Sequence, residues 1–401
     1  MPRDLTALAV SFLRLGATAF GGPVAHVALM EDEVVRRRAW LSREEFLDLY
    51  AASQLIPGPN STELAIHIGH RRAGWRGLLV AGACFILPAM ALVWLAAWSY
   101  VRYGARPDVA AALAGVKPVV LAIVLQALAR FAGTSLTSAM TCAIAGLALV
   151  ATAIGVHEFV VLAGAGALAW LDWQVTRGGN PWERGTPGLG MIVPLAGRGA
   201  TATPLTSVGG TGGAATTVAG GLVLAGGAAP GLASLFLVML KAGSLLFGSG
   251  YVLLAFLHTD VVVRTGWLTE GQLADAVAIG QFTPGPLFTT ATFVGYLVAG
   301  HAGAAVATAG IFLPAFAFVA LTAPLVARMR ASPAARATLG GLNAASLALM
   351  AAVTLPLARD ALAPPVLGTA LAIAALAMLR WTRVNPGWLV AGGGLVGALV
   401  R

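Results

Sequence analysis

Residues 20–59, FGGPVAHVALMEDEVVRRRAWLSREEFLDLYAASQLIPGP, align without a gap on residues 247–286, FGSGYVLLAFLHTDVVVRTGWLTEGQLADAVAIGQFTPGP, at an offset of 227. Fourteen of the 40 pairs are identical. Background Ala and Leu do not explain Phe20/Phe247, Arg37/Arg264, Trp40/Trp267, Asp48/Asp275 and Gln54/Gln281, nor the tripeptides Pro57-Gly58-Pro59 and Pro284-Gly285-Pro286. At the same offset Arg14 falls on Lys241 and Gly16 on Gly243; with one residue deleted, LAGVKPVV (113–120) meets LGGLNAAS (339–346). The chain is a duplicated unit.

Outward from the repeat, the flanks are apolar. Residues 77–101, GLLVAGACFILPAMALVWLAAWSYV, carry no charge and suffice to cross a hydrocarbon core of about 30 Å at ~1.5 Å per residue. Comparable runs occupy 136–156, 302–327 and 361–379. Of 401 residues, 58% are hydrophobic and 10% charged, against roughly 25% charged in an average soluble domain. An all-α polytopic membrane protein follows, with the lipid bilayer as its solvent. The net charge of +9 lies mainly at the ends of apolar runs, where basic residues anchor topology, so nucleic acid is not an expected partner. Cys84 and Cys142 suggest neither a disulfide framework nor a metal site. The N-terminus has charges at Asp4 and Arg14 and no small-residue cleavage site, so it reads as a retained helix.

Three segments are expected: a first repeat over 1–175, a Gly/Thr-rich linker over 176–217 and a second repeat over 218–401. Each repeat offers about five full spans. In the first these are 5–29, 75–101, 108–131, 136–155 and 157–173; in the second, 231–256, 302–327, 336–358, 361–379 and 386–400. Between the first two spans of the first half, short pieces at 42–56 and 60–72 hinge at Pro57-Gly58-Pro59 and read as a broken or re-entrant hairpin. An odd count of spans before an extramembrane linker inverts the second half, a common transporter design. Arginines agree. Arg36, Arg37, Arg38, Arg43, Arg71, Arg72 and Arg76 crowd one side of the first half, whereas in the second the bias moves to Arg328, Arg330 and Arg336.

Several residues suit an anion. Arg14 and Lys241 sit at one repeat position inside apolar runs, where a cation costs about 2.5–3.5 kcal/mol on insertion scales. They can converge on one anion, or snorkel to an interface. Each Pro-Gly-Pro starts a new helix whose free N–H groups and positive dipole end favour an anion, or it forms a plain turn. Asn60, Ser61 and Thr62 follow the first hinge, with Thr289 and Thr290 near the second, as caps or ligand donors. Gln54 and Gln281 precede the hinges. Lys117, before Pro118, and Asn343 at its repeat equivalent either contact the anion or satisfy carbonyls freed at a local break. Glu63 and His67, four apart on one helix face, are candidate proton carriers or simple interfacial polar groups. His26 reads as interfacial. There is no metal-ligand spacing, phosphate loop or nucleophile elbow, so neither an enzyme nor a cofactor is expected.

FGGP at 20–23, the Trp-Leu-Ser at 40–42 and PGPNSTELAIHIGHRRAG at 57–74 resemble the chromate ion transporter family. So do FGSG at 247–250, WLT at 267–269 and PGPLFTTATFVGY at 284–296. The likeness covers both halves and so implies the long, two-domain form. It implies a bacterial inner-membrane secondary transporter that exports chromate, coupled to protons, with sulfate as structural mimic. It carries over Gly21, Gly22, Pro23, Pro57, Gly58, Pro59, Asn60, Gly248, Pro284, Gly285 and Pro286. Ser249 and Gly250 depart from the Gly-Pro of the first copy. Uptake or exchange of sulfate or another tetrahedral oxyanion is the alternative, and a non-transporting membrane scaffold or sensor a further one. Oligomeric state is not legible.

Overall fold

The computed structural model describes residues 5–19, 22–104, 106–176, 231–248, 250–322, 332–362, 365–382, 384 and 386–400. All but the first residue of the expected linker, together with Gly21, Ser249, Arg328 and Arg330, lie outside them. Every regular element among the described residues is helical. The first half holds α1 (Leu5–Thr18), α2 (Gly22–Glu31) running into a π-helical turn (Asp32–Arg37), α3 (Arg43–Ser53), α4 (Asn60–Tyr103), α5 (Pro107–Ser135), α6 (Ala139–Ala153) and α7 (Glu158–Val175). The second holds α8 (Leu232–Leu245), a 3-10 turn (Gly250–Val252), α9 (Leu253–Leu257), a π-helical turn (His258–Arg264) and α10 (Glu270–Phe282). A further 3-10 turn (Leu287–Thr289), α11 (Thr290–Thr322), α12 (Pro333–Ala361), α13 (Pro365–Trp381) and α14 (Pro386–Leu399) complete it. Within α4, α5, α11 and α12 lie stretches long and apolar enough to cross a membrane, and large side chains such as Leu79, Leu95, Val150 and Leu313 stand exposed on the outside. Lipid solvates such a surface; water would not.

Local chemistry repeats with the sequence. Ser42 caps α3 in a reciprocal box with Glu45, and Thr269 caps α10 in the same way with Gln272, each pairing orphan N–H groups of a first turn. Both long helices break at matched points. Ala73 and Gly74 adopt φ/ψ of −140/22 and 60/−145, and Ala299 and Gly300 adopt −144/29 and 58/−145. Only glycine enters that second conformation without strain. The chain doubles back there: a Cβ on Gly69 would lie 2.2 Å from the Gly77 oxygen, and one on Gly295 would lie 2.3 Å from that of Gly303. Eight residues of straight helix would span about 12 Å. Each long helix is therefore a short limb and a long limb packed against one another.

The halves interlock. α5 packs on α13 and α14, while α12 packs on α6 and α7. Gly115 meets Gly393 and Gly397, and Gly341 meets Ala165, at distances that leave no room for a side chain, the close approach small residues permit between membrane helices. The long limbs of α4 and α11 also touch. Leu78 clusters with Val319, Gly82 meets Phe316, and Trp94 donates a 2.9 Å hydrogen bond to His301 Nδ1. Contacts that advance along α4 recede along α11.

One expectation is corrected. The first expected span of each half, 5–29 and 231–256, is not continuous: α1 ends at Thr18 and α8 at Leu245. The chain then folds back, so that Ser11 Oγ reaches Glu33 Oε1 at 3.2 Å and Lys241 Nζ reaches Asp260 at 2.9 Å. The break is written in glycine. Gly248 has φ +88, and a Cβ there would strike the Phe131 ring and Asn343 Oδ1. With this span split, an odd count of crossings no longer argues for inversion.

Candidate functional site

Four chain breaks meet. The Gly58 N–H donates to the Leu246 oxygen at 2.7 Å, and the Gly285 N–H donates to the Ala19 oxygen at 2.9 Å. Gly58 and Gly285 are repeat partners, as are Ala19 and Leu246, so each half gives its hinge amide to the broken helix end of the other. Asn60 Nδ2 adds a 3.2 Å bond to the Gly248 oxygen and a 2.9 Å bond to Gln54 Oε1. Both hinge glycines have positive φ, +136 and +94. A Cβ on Gly285 would collide with Ala89 Cβ at 2.6 Å and the Gly16 oxygen at 2.9 Å. The short limb of α4 begins at Asn60 and α11 at Thr290, so two positive helix ends start at this junction; the Thr62 and Glu63 amides already pair with the Pro59 oxygen, and the Thr290 amide with that of Leu287. Gly22 and Pro23 open α2 beside it.

Side chains around the first hinge are buried and polar. Glu63 is fully buried, neither carboxylate oxygen has a hydrogen-bond partner among the described residues, and Oε1 packs against the Gly58 backbone. Thr62 Oγ1 and His67 Nε2 are likewise buried without partners there. Ser61 Oγ lies 3.3 Å from His26 Nδ1, whose Nε2 lies 3.1 Å from the Ala19 oxygen. His26 thus belongs to the junction and not to an interface; its place three residues after Pro23 was the available signal. The second hinge is plainer: Thr289 and Thr290 hydroxyls turn back to the oxygens of Pro286 and Leu287, and Gln281 lines a narrow crevice with Leu287 and Thr290. Asn343 stands against Gly248.

The two repeat-matched cations differ. Lys241 is held by Glu158 and Asp260, and Arg264 bonds the same two acids at 2.8 Å each. Glu158 comes from α7 of the first half, a residue no motif marked; its place at the start of an apolar run was the available signal. Arg14 is exposed and makes no ion pair with a described acid; its neighbour Glu33 is bound by Arg38 at 2.6 Å and by Ser11. Lys117 lies 3.9 Å from Asp275, which also accepts a 2.8 Å bond from Tyr100. Away from the junction, Arg71 pairs with Glu45 at 2.8 Å, and the guanidinium groups of Arg38 and Arg72 lie 5.0 and 5.4 Å from the centre of the Trp40 ring. The Ser42 amide and Arg71 hold the Glu45 carboxyl below its usual range.

A sequence model of the family described as chromate transporter matches residues 6–170 and 233–398. The chain is 32% identical over 396 residues to a chromate transport protein of Cupriavidus metallidurans, covering 98% of this chain and 92% of that one. It is 31% identical over 408 residues to a chromate transport protein of Pseudomonas aeruginosa, covering 100% and 93%. It is 30% identical over 364 residues to a probable chromate transport protein of Synechococcus elongatus, covering 90% and 86%. No solved structure matches. With its apolar helices, the protein is a multi-pass membrane protein, and the chain belongs to the chromate transporter family.

Proposed function

We propose that the protein exports chromate across the cell inner membrane by alternating access, with proton coupling, and that the junction of the four breaks is the oxyanion site. The observation that carries this reading is the reciprocal pair of hydrogen bonds from Gly58 to Leu246 and from Gly285 to Ala19. It joins the halves through breakable contacts at the place where the positive helix ends converge. The receding contacts of α11 along α4 support oppositely oriented halves, with α3 and the short limb of α4 forming a re-entrant hairpin around Pro57–Pro59, and α10 and the short limb of α11 its counterpart. Eleven residues of α3 rise about 16 Å, half the hydrocarbon thickness, which suits a tip at the midplane.

In this reading the anion takes neutral donors from Asn60, Ser61, Thr62 and Asn343. Thr289 and Thr290 contribute once their hydroxyls leave the hinge carbonyls. Arg14 is the available cation, whereas the charge of Lys241 is already neutralised by Glu158 and Asp260. Glu63 and His67 exchange the proton, because an ionised carboxylate and a dianion repel each other in one desolvated site. Flux of chromate in proteoliposomes, with and without an imposed pH gradient and with sulfate as competitor, tests the function. The expected result is pH-gradient-dependent chromate flux that falls in Arg14→Ala and loses its pH dependence in Glu63→Gln. Unchanged flux in both variants would remove the site from the junction.

A further inference from the structure

A second feature lies away from the junction. Ser99, Tyr100 and Tyr103 on the long limb of α4, Arg106 at the turn, Leu113 of α5 and Ile279 of α10 line an open cleft of about 510 Å³. One turn beyond Leu113 on the same face of α5 stands Lys117, and one turn before Ile279 on α10 stands Asp275. Lys117 Nζ is 3.9 Å from Asp275 Oδ1, and Tyr100 Oη donates to Asp275 Oδ2 at 2.8 Å. Asp275 is only 6% exposed. One turn past that lining, on the α5 and α10 faces that bound the cleft, a cation is therefore paired with a carboxylate that arrives on α10, the helix leading to the second Pro-Gly-Pro.

We infer that this cleft is a vestibule for the tetrahedral oxyanion, and that Asp275 is a tethered carboxylate which holds Lys117 until the anion displaces it. The inference rests on the oxyanion reading of the protein. Its chemistry is competition. A dianion offers four oxygens and two charges to an ammonium, against two oxygens and one charge from Asp275, so it takes over Lys117 and adds the hydroxyl donors of Ser99, Tyr100 and Tyr103. Arg106 at the turn, 64% exposed and paired with Asp108 only at 3.4 Å, draws anions inward. Losing Lys117 leaves Asp275 its bond from Tyr100 on α4 but removes its tie to α5, which links anion arrival to hinge release. The device exists in one copy: the repeat partner of Asp275, Asp48, is exposed on α3, and the partner of Lys117 is the neutral Asn343. An oxyanion approaching through the first half would meet no such exchange.

The test uses the full chain in proteoliposomes, with Cys84 and Cys142 replaced by Ser and a single reporter, Leu113→Cys. A membrane-impermeant maleimide is the label and sulfate the protecting anion, since chromate oxidises thiols. We expect Leu113→Cys to be labelled, as Asp108→Cys at the rim is, and sulfate to protect the former. Asp275→Asn should lower the half-protecting sulfate concentration about tenfold, and Lys117→Gln should abolish protection. The inference is overturned if Asp108→Cys labels and Leu113→Cys does not. It is equally overturned if protection is absent, or indifferent to both charge changes. Chromate flux in the same vesicles separates the two ideas: its absence in the unsubstituted protein sinks the transport reading, while labelling and protection alone judge the vestibule.

Discussion

The two Pro-Gly-Pro arms share a capping box, a hinge and a kinked helix, yet they sit differently in the fold. α3 carries Arg43, Glu44, Leu47 and Asp48 exposed, and packs chiefly on α4. α10 buries Leu273, Asp275, Ala276 and Val277 and packs on α5, α11, α12 and α14. The cations before the arms differ in the same sense, Arg14 being exposed and Lys241 clasped by two acids. One sequence pattern thus occupies two environments in one molecule. Duplication supplies the parts, and unmatched residues such as Glu158, Tyr100 and Lys117 choose which copy is docked. Under alternating access, the docked and undocked roles would pass from one arm to the other.

The strongest way to break this comparison is at the clasp. Lys241→Met leaves Glu158 and Asp260 with one cation between them, and should cost about 3–5 kcal/mol, as removal of one partner from a buried ion network does. A detergent melting curve reads it as a large fall in Tm. Arg14→Met, on the undocked side, should leave Tm unchanged and reduce chromate flux; equal thermal losses in the two variants would show that the cations are equivalent after all. Next in size is Gly300→Ala. Among the described residues no neighbouring atom lies within 4 Å of the added Cβ, so the cost is backbone strain, about 1–3 kcal/mol, and Gly74→Ala should match it if the two kinks are the same device. Thr269→Ala and Ser42→Ala each remove an N-cap, worth about 1 kcal/mol. Hydrogen exchange at the first turn of α10 and α3 checks whether docking buffers the loss in α10. Smallest is Arg71→Gln, whose exposed pair with Glu45 contributes about 0–1 kcal/mol. Because the folded Glu45 carboxyl titrates below its ordinary range, that contribution is present above the ordinary carboxylate value. It is lost as pH falls from there through the lowered folded value.

Much of this was legible in the residues. Apolar run lengths and sparse charge gave a helical membrane protein, and the duplicated Pro-Gly-Pro marked both hinges. What eluded the sequence was what touches what. The hydropathy of 5–29 reads as one span because Ala19, Phe20 and Gly21 are as compatible with an apolar run as with a break. Only the meeting of Ser11 with Glu33 reveals the fold-back. Glu158 lies 83 residues from Lys241 and at no conspicuous repeat position, so pattern matching treated Lys241 as the twin of Arg14. Asp48 and Asp275 are identical letters in the repeat; their different surroundings come from α5 and α4, whose approach no local pattern encodes.

The crossed amide bonds at Gly58 and Gly285 carry a consequence for how such a chain arises and can be divided. A single half, synthesised alone, would lack the acceptor for its hinge N–H and the amide that its broken helix end receives from the other half. It would find both partners in another copy of itself. Severing the polypeptide between the repeats and producing the pieces together should therefore regenerate one working particle, while either piece produced alone should be degraded or self-associate.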